Sequence, residues 1–88
     1  MQVTIRGKRW SLVFTRLKKA YGTCDAKSVP NKKIRISNKL HNVRQLDTII
    51  HELMHAGMWD IDEECVHEMA TDIARVLWKL GYRRDDDK

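Results

Sequence analysis

Two histidines four positions apart constrain this chain more than any other feature. His51 and His55 enclose Glu52 in the run His-Glu-Leu-Met-His, and residues four apart lie on the same face of an α-helix. Two imidazoles on one helical face can bind one Zn²⁺ ion, and a glutamate between them can act on a water at the metal. The pattern therefore predicts a helix with His51 and His55 as zinc ligands and Glu52 as general base.

The residues around this motif suit a helix that is partly buried behind such a site. Apolar residues recur at helical spacing and predict a helix over residues 43–56, which Gly57 can end. Asp47, near its start, suits the positive end of the helix dipole. The residues within and around the motif that are expected to be buried are uncharged, as burial requires: they are Ile49, Ile50, Leu53, Met54 and Ala56.

The motif and its flanks resemble the zincin metallopeptidases. Their extended signature has a small or β-branched residue three positions before the first histidine, here Thr48, whereas Gly57 stands where a bulkier apolar residue is usual. Residues 46–81 are also similar to small phage and bacterial metallopeptidases of the SprT-like and ImmA-like type, in which an acidic turn and a second helix follow. The resemblance implies a zinc-dependent hydrolase of peptide bonds.

A second helix is predicted over residues 62–80. Asp60 or Asp62 suits its N-cap, and Gly81 follows as a C-terminal stop. Apolar residues at helical spacing mark the face that we expect to be buried. They are Val66, Met69, Ala70, Ile73, Val76, Leu77 and Leu80.

The second helix is also expected to supply a third zinc ligand, because a catalytic site needs three protein ligands and an open position for water. At about 100° per residue, Glu63 lies close to the apolar stripe, Glu64 points nearly opposite and His67 lies at its edge. We expect Glu63 as the ligand, with His67 and Glu64 as alternatives. The resemblance also favours an acid here, because ImmA-like proteins place a glutamate ligand three residues before a small residue.

Other residues compete for roles at the site. Residues 68–72 are similar to the Glu-x-x-x-Asp of thermolysin-type enzymes, in which the glutamate binds zinc, although Glu68 faces away from the stripe. Most zincins add a histidine or tyrosine that stabilises the oxyanion, and His67 or Tyr82 can serve here. His41 precedes the motif helix, so we expect it at the surface rather than at the metal.

The N-terminal half predicts a small sheet. Residues 2–6 and 9–14 alternate around Gly7-Lys8, which is typical of a β-hairpin. Residues 32–37 predict a strand with Ile34 and Ile36 inward, residues 15–21 a short helix, and residues 22–31 a loop. Because zincins place a strand along the edge of the cleft, the resemblance makes residues 32–37 the expected peptide-binding edge.

Together these elements predict an α+β fold: a minimal zincin-like domain whose hairpin and edge strand pack on the motif helix and the C-terminal helix. A chain of 88 residues has room for one domain, which we place at residues 1–82, followed by a charged tail at 83–88. No apolar run approaches the ~20 residues that span a bilayer, and no secretory signal is evident. We therefore expect a cytoplasmic protein without a membrane partner, in which Cys24 and Cys65 are reduced thiols.

The net charge of +5 hides an asymmetry. Residues 1–45 carry twelve Lys/Arg and one acid, a charge of +11, whereas residues 46–88 carry five Lys/Arg and eleven acids, a charge of −6. The basic half is either a solvated face or a patch that attracts nucleic acid or an acidic substrate. SprT-like proteins act on DNA-bound proteins, so the resemblance adds possible nucleic-acid contact to the expected protein or peptide substrate. The alternative to a hydrolase is a zinc-stabilised binding module with little turnover.

Overall fold

The fold is α+β, as predicted, with a four-stranded mixed sheet and two helices. The computed structural model describes residues 1–84; the rest of the predicted tail, residues 85–88, lies outside the described residues. No helix within residues 1–84 has the length and apolar character needed to cross a bilayer. The elements are β1 (Gln2–Ile5), β2 (Lys8–Thr15), β3 (Gly22–Cys24), β4 (Lys33–Ser37), α1 (Asn42–Gly57) and α2 (Glu63–Lys79).

The predicted hairpin is confirmed, with its turn one position earlier than expected. Arg6 and Gly7 both have positive φ, 48° and 76°, and β1 and β2 pair antiparallel with Ile5 opposite Lys8. Two successive positive φ angles are the signature of the type I′ turn, whose twist matches that of the strands it joins.

The sheet order is β1-β2-β4-β3, so the prediction that residues 32–37 form an edge strand is wrong. β4 runs parallel to β2 and antiparallel to β3. Its inward residues, Ile34 and Ile36, are fully buried, as predicted. The resemblance to the zincins implied the edge position, and residues 22–31 were predicted as a loop, so no strand was expected outside β4. β3 is the edge strand on this side of the sheet.

The predicted short helix over residues 15–21 is also wrong. Thr15 still belongs to β2, and residues 16–21 form a connection without helical turns. Lys18, Lys19 and Ala20 are exposed. A helix this short is marginal without an apolar face that packs on the core, and this segment offers none.

Helix α1 lies between the sheet and α2. Its sheet-facing side joins a core of buried residues: Trp10, Leu12, Ile34, Ile36, Leu40 and Ala56. Gly57, the departure from the zincin pattern, meets the hairpin here. A Cβ at this position would lie 2.9 Å from Ile5 Cγ2, and Arg6 Nη1 donates to the Gly57 carbonyl at 2.9 Å.

Helix α2 packs mainly on α1, and this makes its buried face narrower than the predicted stripe. Val66, Ala70 and Ala74 are buried, in a row with spacing four along one side. The outer members of the predicted stripe are exposed instead, because an element that meets one neighbour buries only the row facing it. They are Met69, Ile73, Val76 and Leu80.

Candidate metal centre

Helix α1 presents the two motif histidines on one partly buried face. The Nε2 atoms of His51 and His55 lie 3.1 Å apart, and their ring centroids are 4.8 Å apart. Glu52 follows His51 by one position, which rotates it by about 100° around the helix. It therefore points toward the sheet, where it is only 7% exposed.

The first turn of α2 brings Glu63 to this histidine pair. Its Oε1 lies 2.9 Å from His51 Nε2, and its Oε2 lies 2.8 Å from His55 Nε2. Asp62 caps the helix by accepting from the Cys65 amide at 2.8 Å, one of the two predicted caps. The Glu63 side chain remains 69% exposed, so the carboxylate lies at the rim of the site.

The antiparallel register of α1 and α2 explains why Glu63 meets both histidines. The connection at residues 58–62 is short, so α2 folds directly back along α1. His51 then faces His67, with ring centroids 6.2 Å apart, and Asp47 accepts from Thr71 Oγ1 at 2.9 Å. Residues 55, 51 and 47 of α1 thus lie opposite residues 63, 67 and 71 of α2.

The structure separates the other candidates from this cluster. Glu64 and Glu68 are exposed and lie outside it, and His41 is exposed just before α1. His67 lines the same cavity as His51. Tyr82 lines a different cavity, with Leu46 and Ile49. Of the two predicted oxyanion-stabilising residues, only His67 lies beside the histidine pair.

The donor atoms of His51, His55 and Glu63 suit one small divalent cation. These donors all lie within 4.8 Å of one another, the one such grouping of His, Cys, Asp and Glu within residues 1–84. Two donors bound at ~2.1 Å in tetrahedral geometry are ~3.4 Å apart, and the closest separations here are shorter by a few tenths of an ångström. Movements of a few tenths of an ångström by the rim carboxylate and the two imidazoles would therefore accommodate an ion.

Protons alone satisfy this arrangement poorly. If each Nε2 carries a hydrogen, both can donate to Glu63, but two donor nitrogens then face each other at 3.1 Å. If only one carries a hydrogen, the other nitrogen turns a lone pair toward a carboxylate oxygen. A cation replaces the hydrogens and accepts all three lone pairs, which is how such donor sets are satisfied in metal sites.

Glu52 packs against the backbone of β3. A Cβ on Gly22 would lie 2.9 Å from Glu52 Cγ, 2.9 Å from Thr48 Cγ2 and 3.0 Å from Glu52 Oε2. The close approach of strand and helix at this point thus requires a glycine at residue 22. Burial also raises the pKa of the Glu52 carboxyl, while His55 opposes this effect and the charge of Glu63 adds to it.

We expect Gly22→Ala to destabilise the protein by about 1–3 kcal/mol, the usual range for overpacking, and also to displace Glu52. Chemical denaturation measures the first effect and a crystal structure of the variant the second. Gly7→Ala is the control, because no atom lies within 4 Å of its added Cβ and only its positive φ carries a cost. A Gly22→Ala variant that loses no stability and keeps Glu52 in its place would contradict this contact.

Two cavities adjoin at Glu52. One, of about 310 Å³, extends along His55 to Lys27 and Trp59. The other, of about 350 Å³, extends along His51 to Tyr21 and Arg44. Gly22 lines the cavity beside His51 and Cys24 lines the cavity beside His55, so β3 borders both cavities. The edge strand beside the histidine pair is therefore β3 rather than the predicted residues 32–37.

The end of β3 is held in place by Asp25. Its carboxylate accepts from the Lys33 amide and from Arg35 Nη1, both at 2.9 Å, and these bonds hold its pKa below the ordinary value. Burial and the neighbouring carboxylates Glu52 and Asp25 raise the pKa of Cys24 to about 11. Cys24 is a free thiol, as is Cys65, and it stays protonated at neutral pH.

Three residues at the ends of the two cavities, Lys27, Tyr21 and Arg44, were not identified from sequence. Lys27 Nζ lies 3.9 Å from the centroid of the Trp59 ring. At the other end, Tyr21 Oη accepts from Arg44 Nη1 at 2.9 Å. They come from the loops and from the start of α1, so only tertiary contacts place them near Glu52.

Comparison with protein-family models, with curated proteins and with solved structures finds no match to this chain.

Proposed function

We propose that this protein is a zinc-dependent metallopeptidase of minimal zincin type. The observation that carries the proposal is the convergence of His51, His55 and Glu63 beside the buried carboxylate of Glu52. Two imidazoles and one carboxylate, with space left for water and substrate, are a donor set of catalytic zinc sites in hydrolases. When bound, zinc polarises a carbonyl oxygen as a Lewis acid and lowers the pKa of water toward neutrality.

Glu52 is the general base in this proposal. It follows the first ligand by one residue and borders both cavities, so its carboxylate can take a proton from the attacking water. The same carboxyl group then delivers that proton to the departing amine. Its close approach to Gly22 and its burial restrict the positions that the carboxylate can take.

The proposed substrate is an extended peptide that runs alongside β3. β3 pairs with β4 on one side, and its opposite edge can accept the main chain of a peptide as an added strand. Lys27 and Arg44 lie at the two ends of the combined cavity and favour acidic side chains there. His67 and Tyr21 both line the His51 cavity, and in this proposal one of them stabilises the developing oxyanion.

The second candidate function is a zinc-stabilised module that contacts nucleic acid with little turnover. It is favoured by a third cavity, of about 430 Å³, in which Arg9, Lys32 and Lys33 lie together at the start of β2 and β4. Clustered cations of this kind attract phosphates.

A peptide-library digestion tests the choice between them. Zinc-loaded protein is incubated with a mixed peptide library, and mass spectrometry identifies new termini. We expect cleavage, with Asp or Glu enriched near the new termini. After chelation of the zinc we expect no cleavage. Absence of cleavage together with salt-dependent binding of duplex DNA would overturn the peptidase and support the binding module.

A further inference from the structure

The outer face of α2 carries an exposed apolar stripe. Met69, Ile73, Val76 and Leu80 are 45%, 36%, 57% and 68% exposed, and we call these four residues the α2 stripe. Ile61 and Tyr82, beyond the two ends of the helix, are also exposed. Six of the ten exposed large apolar residues of the described chain therefore lie on or next to α2. Apolar side chains gathered on one face mark an interaction surface.

The spacing of the α2 stripe is that of a helix–helix seam. Its residues follow one another at intervals of four, three and four, the alternation by which a and d positions meet a partner helix. At about 100° per residue, the stripe is centred roughly a quarter turn from the row of Val66, Ala70 and Ala74 that faces α1. It lies on the side opposite to His67, so a partner there leaves the metal centre open.

The charges of α2 identify a partner that fits this seam. Beyond Glu63, its acidic residues come first, at Glu64, Glu68 and Asp72, and Arg75 and Lys79 follow toward the C-terminal end. Asp72 and Lys79 are seven residues apart and flank the same side of the stripe. An antiparallel second copy would place Asp72 opposite Lys79, whereas in a parallel copy Asp72 would face Leu77 and gain no charged partner.

We propose that two copies of this chain associate through their α2 stripes in an antiparallel, two-fold symmetric pair. The arrangement is isologous, so each Asp72 meets Lys79 of the second copy and each Lys79 meets Asp72. A single helix face is a small interface compared with the ~800 Å² per partner of a standard one, so we expect a dissociation constant in the micromolar range. Both metal centres remain accessible.

Sedimentation equilibrium of the full chain, from low to high micromolar concentration, tests this proposal. We expect a monomer–dimer equilibrium whose dissociation constant rises at least about tenfold in Val76→Glu, the loss of one well-packed interface residue. Val76→Ile keeps the position apolar and is the matched control. Far-UV circular dichroism verifies that each variant is folded.

Charge exchange tests the antiparallel orientation separately. Asp72→Lys and Lys79→Asp should each weaken the dimer, and the double variant should restore it. A wild-type chain that stays monomeric at all these concentrations would overturn the proposal and leave the stripe for a different protein. A dimer that Val76→Glu does not weaken would show that another surface associates.

Discussion

Glu52→Gln is expected to keep its zinc and to lose peptide hydrolysis by about 10²–10⁴-fold, the usual contribution of a general acid–base group. The amide has nearly the same size and shape as the carboxylate, so it fits the space beside Gly22 and Thr48. It cannot take a proton from water at neutral pH. The three proposed ligands are unchanged, so metal content should match that of the wild type.

The measurement is the rate of cleavage of a library-derived peptide, with zinc content determined on the same sample. Glu64→Gln is the matched control, because it makes the same change at an exposed residue next to Glu63 and should retain full activity. Wild-type rates in Glu52→Gln would remove Glu52 as the base. Loss of zinc from this variant would instead point to a structural role.

Zinc is expected to raise the free energy of unfolding of the wild-type chain by about 2.7 kcal/mol at a free concentration of 100 times its dissociation constant. The ligands come from two helices, so binding joins α1 to α2 only in the folded state. For a domain of this size the increase corresponds to at least about 10 °C in the midpoint of thermal unfolding. A chelator should reverse it.

His51→Ala and Glu63→Ala test the source of this stabilisation. At the same zinc concentration, His51→Ala should show almost no increase and Glu63→Ala a reduced one, because two imidazoles still bind the ion weakly. His67→Ala is the control for the neighbouring histidine and should respond like the wild type. A full zinc response in His51→Ala would place the ion elsewhere on the chain.

The parts of the fold that the sequence predicted well are those with strong local signals. The apolar spacing around His51 indicates α1, Asp62 and Gly81 delimit α2, and the glycine at position 7 marks the hairpin. Each signal depends on residues close together in the chain, and a helix or tight turn satisfies them without help from distant contacts.

The position of Glu63 depends on a signal that is only partly local. The angular position of Glu63 around the helix distinguishes it from Glu64. The buried face of α2, however, is narrower than the apolar pattern of the sequence indicates. The stronger signal is the short connection at residues 58–62, which forces an antiparallel pairing in which Glu63 lies opposite His55. Counting back along both helices from that connection also places His67 opposite His51.

The errors have one physical origin, since they concern contacts between distant segments. Three residues, Gly22–Cys24, are too few to show the alternating pattern of a strand. They form a strand because they pair with β4. Tyr82 was a candidate for stabilising the oxyanion because the resemblance to the zincins implies a histidine or tyrosine in that role. The packing of α2 on α1 puts Tyr82 in a cavity beside Ile49, while Tyr21 lines the His51 cavity.

Elemental analysis of purified protein tests the metal centre most directly. After loading with zinc and removal of the excess, the wild type and Glu64→Gln should each hold one zinc ion per chain, and His51→Ala should hold almost none. Stoichiometric zinc in His51→Ala, or its absence from the folded wild type, would contradict the proposed site and the hydrolase built on it.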